Sequence, residues 1–143
     1  MDNFLDFESF KNLRENEDSE NLDMIFEDYT EIIDKIEGAM DNKFVCQIYY
    51  KGEQKGVVDD GYREIEPLRL GVNKHGNTIL RAWLIRGVSR TGKTDPSVVP
   101  GFRLFRLDRI SMISPTLSKF TGPRKGYGDT DIGMTEISYS VKF

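Results

Sequence analysis

The chain reads Gly101-Phe102-Arg103-Leu104-Phe105-Arg106-Leu107-Asp108-Arg109-Ile110 at the place that decides its fold. Three arginines at a spacing of three interleave with apolar residues, an aspartate lies beside the last of them, and we predict a β-strand over Phe102–Ile110. One face of such a strand would carry Arg103, Phe105, Leu107 and Arg109. The other face would carry Leu104, Arg106, Asp108 and Ile110. A buried guanidinium without a partner is costly, so we expect at least one face to meet solvent or an anion.

The three arginines of this stretch allow two interpretations. The planar guanidinium fork matches phosphate and carboxylate groups, which makes an anionic ligand the first functional hypothesis. The alternative is an ordinary amphipathic strand, in which Asp108 pairs with Arg106 or Arg109 while the long side chains reach solvent. Periodicity alone does not choose between a ligand site and this structural pair.

The sequence on both sides of this stretch also reads as short strands separated by turns. Strands are predicted over Phe44–Tyr50, Tyr62–Leu70 and Thr78–Ile85, then a loop over 86–101, and after the arginine stretch a fifth strand or continuation over Ser111–Thr116. Pro67 indicates an edge position or a bend, because proline donates no ladder hydrogen bond. Several short strands with close turns predict a small β-barrel.

Residues 1–41 have the pattern of acidic helices. Apolar residues recur at helical spacing and predict a helix over 22–40, with Ser19 or Asn21 as its cap. A shorter amphipathic helix is predicted over 4–13. The apolar stripe of the longer helix is expected to pack against the strands that follow.

The charge of the chain is unevenly distributed. The 143 residues carry a net charge of −4, but residues 1–41, with 14 acids and 3 bases, carry −11, and residues 42–143, with 10 acids and 17 bases, carry +7. A basic body suits nucleic acid or nucleotides. The acidic arm could screen that surface, dock on it or bind another protein, and a solvated acidic helix without a partner is the alternative.

Several classes of protein and site are not expected from the composition. No segment approaches 18 consecutive apolar residues, and the acidic N-terminus is unlike a secretory signal, so we expect a cytoplasmic protein with no membrane partner. The lone cysteine, Cys46, lies in an apolar strand and is predicted to be a buried, inert thiol. The lone histidine, His75, lies in a turn sequence, and no metal or cofactor is expected from one histidine and one cysteine.

The arginine-rich stretch and the segments around it resemble the WYL domain family. Residues 103–110 resemble the family's RxFRLDRI signature. Residues 36–43 resemble its entry helix and residues 45–50 its first strand. Residues 62–70 resemble its R-x-(I/V)-x-P-L-x-L strand and residues 110–120 its closing strand. The tripeptide that names the family is replaced by Thr78-Ile79-Leu80, in which only the leucine is retained.

The resemblance implies an α+β, mainly β fold in which N-terminal helices pack on an Sm-like small β-barrel. We therefore expect an acidic helical region over 1–41, a WYL-like barrel over 42–120, and a Gly-rich linker with a C-terminal strand over 121–143. Residues 135–143 alternate apolar and polar side chains and predict a strand that adds to its own sheet or to a neighbouring subunit. We favour a homo-oligomer to which this strand contributes.

The resemblance also implies a ligand surface lined by basic residues. The matching positions in this sequence are Arg63, Arg103, Arg106 and Arg109. Residues 87–94 add Arg90 and Lys93 and are predicted to lie as a flexible basic loop beside an anion site.

No catalytic constellation stands out, and no enzyme activity is expected. Residues 87–94 match the phosphate-loop pattern G-x-x-x-x-G-K-T, but Asp95-Pro96 follows, and such a loop needs a helix there. The acids near Arg63, among them Glu64 and Glu66, are predicted to form a solvated polar face rather than an acid–base pair.

WYL domains are regarded as regulatory modules that sense nucleotides or bind single-stranded nucleic acid, usually after a winged helix domain. Residues 1–35 are too few and too acidic for such a domain, so the resemblance implies a stand-alone regulatory module, of a kind that phages could encode, which binds a nucleotide or single-stranded nucleic acid and modulates a partner. The alternative is a protein-interaction adaptor that acts through the acidic arm or the C-terminal strand on transcription or defence machinery.

Overall fold

The computed structural model describes residues 28–52, 61–88 and 93–143. This part contains one α-helix, seven β-strands and one 3-10 turn: α1 (Tyr29–Asn42), β1 (Phe44–Tyr50), β2 (Gly61–Val72), β3 (Thr78–Val88), β4 (Thr94–Asp95), β5 (Gly101–Arg106), the turn Leu107–Arg109, β6 (Ile110–Lys119) and β7 (Glu136–Ser140). The prediction of a mainly β fold with a helix before the strands is confirmed. α1 is neither long enough nor apolar enough to cross a membrane.

The sheet curls because two consecutive strands pair with opposite edges of a three-stranded meander. β1, β2 and β3 pair in sequence order and antiparallel. β5 then pairs with β3, while β6, only a three-residue turn later, pairs with β1. One continuous stretch of chain therefore contacts both edges, and we call the resulting curled sheet the half-barrel.

The core lies between α1 and the inner face of the half-barrel. The largest fully buried side chains include Ile36 and Met40 from the helix and Ile48, Ile65, Leu80, Leu107 and Ile113 from the strands and the 3-10 turn. Cys46 is buried among them, and burial raises the pKa of its thiol to about 12. The thiol therefore stays protonated at neutral pH, in agreement with the inert role predicted for it.

Helix α1 begins later than the sequence pattern predicts. Asp28 is extended, and its side chain accepts a hydrogen bond from the N–H of Glu31, while the Glu31 carboxylate accepts one from the N–H of Asp28. This capping box starts a new helix and rules out one continuous helix over 22–40. The helix ends at Asn42, where Lys43 takes a left-handed conformation. The helix predicted over 4–13 lies outside the described residues.

The strand predicted over Phe102–Ile110 is interrupted. β5 ends at Arg106, and Leu107–Arg109 form a 3-10 turn before β6. Because a 3-10 turn does not alternate faces as a strand does, the two predicted sets of four residues do not each share a face. Leu107 points into the core and is 1% exposed, whereas Asp108 is exposed.

Pro67 lies in a central strand, so the predicted edge position is wrong, and a register irregularity stands where a bend was the alternative. β3 follows β2 along its length. On the other side, β1 pairs with residues 61–65 and β7 with residues 69–72, so Pro67 falls between the two ladders. The pairing with β3 shifts register directly after Pro67, which marks a bulge where proline is tolerated.

The C-terminal strand belongs to its own sheet. β7 pairs with β2 of the same chain, which is one of the two predicted pairings, and the homo-oligomer stays a prediction. Of the alternating residues, Val141 is buried, whereas Ile137 and Phe143 remain 42% and 48% exposed. Residues 121–135, which we call the strap, connect β6 to β7 across the outer face of β2, β3 and β5 through the contacts described below.

Candidate ligand site at the mouth of the half-barrel

A cleft of about 340 Å³ opens at one end of the half-barrel, where β1 ends and β2 and β5 begin. Its lining consists of Tyr50, Arg63, Leu84, Ser97, Val98, Val99, Arg103, Leu104 and Phe105. We call this cleft the mouth. It brings together two of the predicted site residues, one from the start of β2 and one from the start of β5.

The two arginines are held by the same local arrangement. Gly61-Tyr62-Arg63 begins β2 and Gly101-Phe102-Arg103 begins β5. In each, the Nη1 atom of the arginine donates to the carbonyl of the aromatic residue, at 3.1 Å for Tyr62 and 2.9 Å for Phe102.

The glycine of each motif makes room for this arrangement. The φ angles of Gly61 and Gly101 are +157° and +154°, and a Cβ at either glycine would lie 2.9 Å from the guanidinium of the arginine two residues later. Any other residue would strain the backbone and displace this guanidinium from its position. The repeated Gly-aromatic-Arg sequence therefore fixes two guanidinium groups at the mouth.

The turn over residues 96–100 forms one wall of the mouth. The Nη2 atom of Arg103 donates to the carbonyl of Val99 at 2.6 Å, which ties the arginine to the turn. The Asp95 carboxylate accepts hydrogen bonds from the Oγ and the N–H of Ser97, and these bonds, with the nearby charge of Arg63, lower the pKa of Asp95. The charges identified around the mouth are thus two guanidiniums and one carboxylate that stays ionised at neutral pH.

The floor of the mouth is apolar. The rings of Tyr50 and Phe105 meet edge to face with centroids 5.0 Å apart, and Leu84 is buried beside them. The Tyr50 hydroxyl accepts a hydrogen bond from the backbone N–H of Arg106 at 3.1 Å and so satisfies its polar atom. The mouth therefore combines guanidinium groups with an aromatic and aliphatic floor.

The other predicted site residues lie elsewhere. Arg106 donates twice to the Asp108 carboxylate, at 2.6 and 3.1 Å, which is the structural pair considered in the sequence analysis. Arg109 donates from Nη1 to the carbonyl of Gly52 at 2.6 Å. Lys93 is exposed next to β4. Arg90 lies outside the described residues.

The segment that matches the phosphate-loop pattern runs from strand to strand. Gly87 lies in β3 and Thr94 in β4, and these two strands pair antiparallel. β5 is the next regular element after β4, so no helix aims its N–H groups at the end of this loop.

A second set of charged residues, which the sequence pattern did not predict, lies beneath the strap. Arg69 is 3% exposed and donates to the carbonyls of Thr130 and Gly128, the hydroxyl of Tyr127 and the hydroxyl of Ser140. Its guanidinium also lies over the Tyr127 ring. A guanidinium with this many acceptors holds the strap and β7 against β2.

Two ion pairs fasten the strap at its ends. Arg81 binds Asp131 through both carboxylate oxygens, at 2.7 and 2.8 Å, and this contact lowers the pKa of Asp131. Arg124 binds Glu66 in the same bidentate way and lies over the ring of Trp83. Glu66 is only 4% exposed, so the solvated role predicted for it is wrong.

We call the residues of these contacts the strap interface: Glu66, Arg69, Arg81, Arg124 and Asp131. A cavity of about 220 Å³ remains beside them, lined in part by Arg69, Arg81 and Asp131. Charged residues inside otherwise apolar strands were the sequence signal for this interface. Their partners lie about 50 to 60 residues further along the chain, where no local pattern connects them.

The fold and the mouth define a small antiparallel β half-barrel with one packed helix and two arginines at an open end. No family model matches the chain, and no curated protein matches it. Among solved structures, the chain is similar to proteasome accessory factor B/C (PafBC) of Arthrobacter aurescens, with 25% sequence identity and a TM-score of 0.49 over 67% of this chain. The match spans 13% of the length of that protein.

Proposed function

We propose that this chain is a WYL-like regulatory module that binds a nucleotide or single-stranded nucleic acid at the mouth of an Sm-like barrel and thereby modulates a partner. The observation that carries the proposal is the pair of arginines, Arg63 and Arg103, fixed by the same Gly-aromatic-Arg motif and exposed to one cleft. Guanidinium groups bind phosphate through parallel N–H···O hydrogen bonds.

The connectivity supports the barrel part of this proposal. A helix precedes three meander strands, and a 3-10 turn separates the two strands that contact opposite edges of the meander. This order places the RxFRLDRI-like stretch at the point of closure, so the residues that carry the WYL resemblance also shape the mouth.

The size and place of the cleft support a ligand site. Mouths of β-barrels are common ligand sites, and a cleft of about 340 Å³ is at the small end of the usual range for such sites. The net charge of +7 over residues 42–143 would attract a polyanion over a longer distance than the two arginines alone.

The proposal is tested by fluorescence polarisation with the full chain and labelled single-stranded DNA and RNA of six to eight nucleotides, competed with mononucleotides. Arg63→Ala and Arg103→Ala should each weaken binding roughly 10- to 100-fold, because a charge-assisted hydrogen bond contributes about 1.5–3 kcal/mol. The matched control is Arg86→Ala, which removes the same charge from an exposed ion pair with Glu64 outside the mouth.

Two results would overturn the proposal. One is the absence of binding by any of these anions to the unmodified chain at low salt. The other is an equal loss for Arg86→Ala and for the two mouth variants, because binding would then depend on overall charge and not on the mouth.

A further inference from the structure

We infer that the mouth takes a single nucleotide unit that carries a terminal phosphate, with the phosphate at Arg63 and Arg103 and the base or sugar against the apolar floor. Such a unit is either a free mononucleotide or the phosphorylated end of a strand. This inference rests on the function proposed above and narrows the ligand class that the mouth accepts.

The mouth is closed below, so a strand cannot pass through it. Its floor residues Tyr50, Leu84 and Phe105 are 6%, 3% and 5% exposed. The fully buried side chains of Ile65 and Leu80 also belong to the core that fills the half-barrel. A ligand therefore rests on this floor and does not pass through the half-barrel, and this geometry suits a molecule with an end.

The volume of the mouth matches one nucleotide unit. About 340 Å³ accommodates a small molecule of the size of one nucleotide, whereas several stacked nucleotides need a longer groove. The apolar surface of Val98, Val99 and Leu104 borders the same space, so a ring or sugar gains contact there that inorganic phosphate does not.

The charges favour a terminal over a bridging phosphate. A phosphate monoester carries about −1.5 to −2 charges at pH 7 and offers three free oxygens, whereas a phosphodiester carries one charge. A guanidinium has five N–H bonds, and the contacts to Phe102 and Val99 use one N–H from each Nη atom of Arg103. The remaining N–H bonds of Arg103, together with the charge of Arg63, match the oxygen-rich end group.

A substitution at Asp95 should strengthen ligand binding, whereas substitutions at Arg63 and Arg103 should weaken it. The ionised carboxylate of Asp95 lies near Arg63 and repels an incoming phosphate. In Asp95→Asn the amide oxygen can still accept the hydrogen bonds from Ser97, so the turn is retained while the negative charge is lost. This variant should bind the terminal phosphate several-fold more tightly, a gain that damage to the fold would not produce.

The experiment uses the full chain and one hexanucleotide sequence phosphorylated at its 5′ end, at its 3′ end or at neither, with adenosine monophosphate and inorganic phosphate as competitors. We expect a strand with a terminal phosphate to bind at least about tenfold more tightly than the unphosphorylated strand. Adenosine monophosphate should compete, and inorganic phosphate should compete more weakly. If adenosine monophosphate displaces every strand, the ligand of the mouth is a free mononucleotide. If a phosphorylated strand binds more tightly than adenosine monophosphate, the ligand is the phosphorylated end of a strand.

A variant of the turn separates ring contact from phosphate contact. The Val99 side chain is 64% exposed, and only its backbone carbonyl binds Arg103. Val99→Ser should therefore lower the affinity for adenosine monophosphate and leave that for inorganic phosphate unchanged. Equal binding of all three hexanucleotides, without competition by adenosine monophosphate, would overturn the inference while leaving the proposed function intact. Failure of every probe to bind would overturn both.

Discussion

The mouth and the strap interface both contain arginines, but they place them in opposite surroundings. Beneath the strap, Arg81 and Arg124 each bind a carboxylate in a bidentate pair, and Arg69 is surrounded by acceptors. At the mouth, the acceptors of Arg103 among the described residues are backbone carbonyls, which orient a guanidinium without neutralising its charge. An arginine that is buried and paired with a carboxylate stabilises the fold. An arginine that is partly exposed and bonded only to carbonyls keeps its charge and can bind an anion.

The boundary between the two regions runs between neighbouring residues of β5. Phe102 faces the strap, where its ring meets Trp83 edge to face with centroids 5.0 Å apart and lies against Gly126. Arg103, the next residue, faces the mouth. Alternation along a strand thus assigns one residue to holding the strap and its neighbour to the candidate ligand site.

The largest effect is expected for Arg69→Ala. Removing this side chain deletes four hydrogen bonds between β2 and the strap or β7, so the free energy of unfolding should fall by about 3–5 kcal/mol, at roughly 1 kcal/mol for each bond. Urea denaturation measures this change. Arg86→Ala is the control, since it breaks an exposed ion pair that contributes about 0–1 kcal/mol. A similar small loss in both variants would show that the strap is held by other contacts.

A smaller, pH-dependent effect is expected for Asp131. Hydrogen bonds from Arg81 lower its pKa in the folded state, so its contribution to stability is present above the unfolded value of about 3.9 and is lost as the pH falls through the lower folded value. Asp131→Asn should cost about 1–3 kcal/mol at pH 7. Thermal denaturation at a series of pH values should show this difference shrinking below pH 4. A difference that is constant down to pH 2 would contradict the assignment.

The mouth arginines should affect stability least. Arg103→Ala and Arg63→Ala remove hydrogen bonds from half-exposed groups, so each should change the free energy of unfolding by no more than about 1.5 kcal/mol. Arg106→Ala breaks an exposed pair with Asp108 and should change stability by about 0–1 kcal/mol without weakening ligand binding. If Arg103→Ala destabilises the fold as much as Arg69→Ala does, the distinction between the two regions fails.

The smallest effect is expected from the acidic arm. If residues 1–20 compete with a polyanion for the basic body, their deletion should raise the affinity for single-stranded nucleic acid several-fold at low salt, and the gain should vanish as salt screens both charges. Polarisation titrations at two salt concentrations measure this. Residues 28–42 stay in the shortened chain because α1 completes the core. Unchanged affinity at low salt would exclude such competition.

Hydrophobic periodicity alone predicted much of the fold. β1 has the predicted bounds, and β2 and β3 are each a few residues longer than predicted. β1 and β3 alternate over much of their length because one face of each enters the core, whereas β2 is buried continuously from Ile65 to Gly71. The capping box at Asp28 and Glu31 is also visible in the sequence. The apolar residues keep their helical spacing on both sides of it, however, and this spacing predicted an unbroken helix.

What the sequence could not predict depends on distant contacts. Leu107-Asp108-Arg109 fits a strand pattern as well as a 3-10 turn, and the pairing of β5 and β6 with different strands decides between them. The same holds for Glu66, whose partner Arg124 lies in a segment that composition describes only as glycine-rich. At the candidate site, the repeated Gly-aromatic-Arg motif is visible in the sequence. It precedes Arg63 and Arg103 but not Arg106 and Arg109, so it could have shown which arginines lie at the mouth.

The way the half-barrel closes has a consequence for how fast the chain folds. Phe44, at the start of β1, pairs with Lys119 at the end of β6, and the N–H of Phe120 donates to the carbonyl of Lys43 at 2.9 Å. The hairpins β1–β2 and β2–β3 need only short loops, whereas this ladder must bring together chain segments that are far apart in sequence. We expect it to form last and to place the chain among slow two-state folders, with relaxation in milliseconds to seconds.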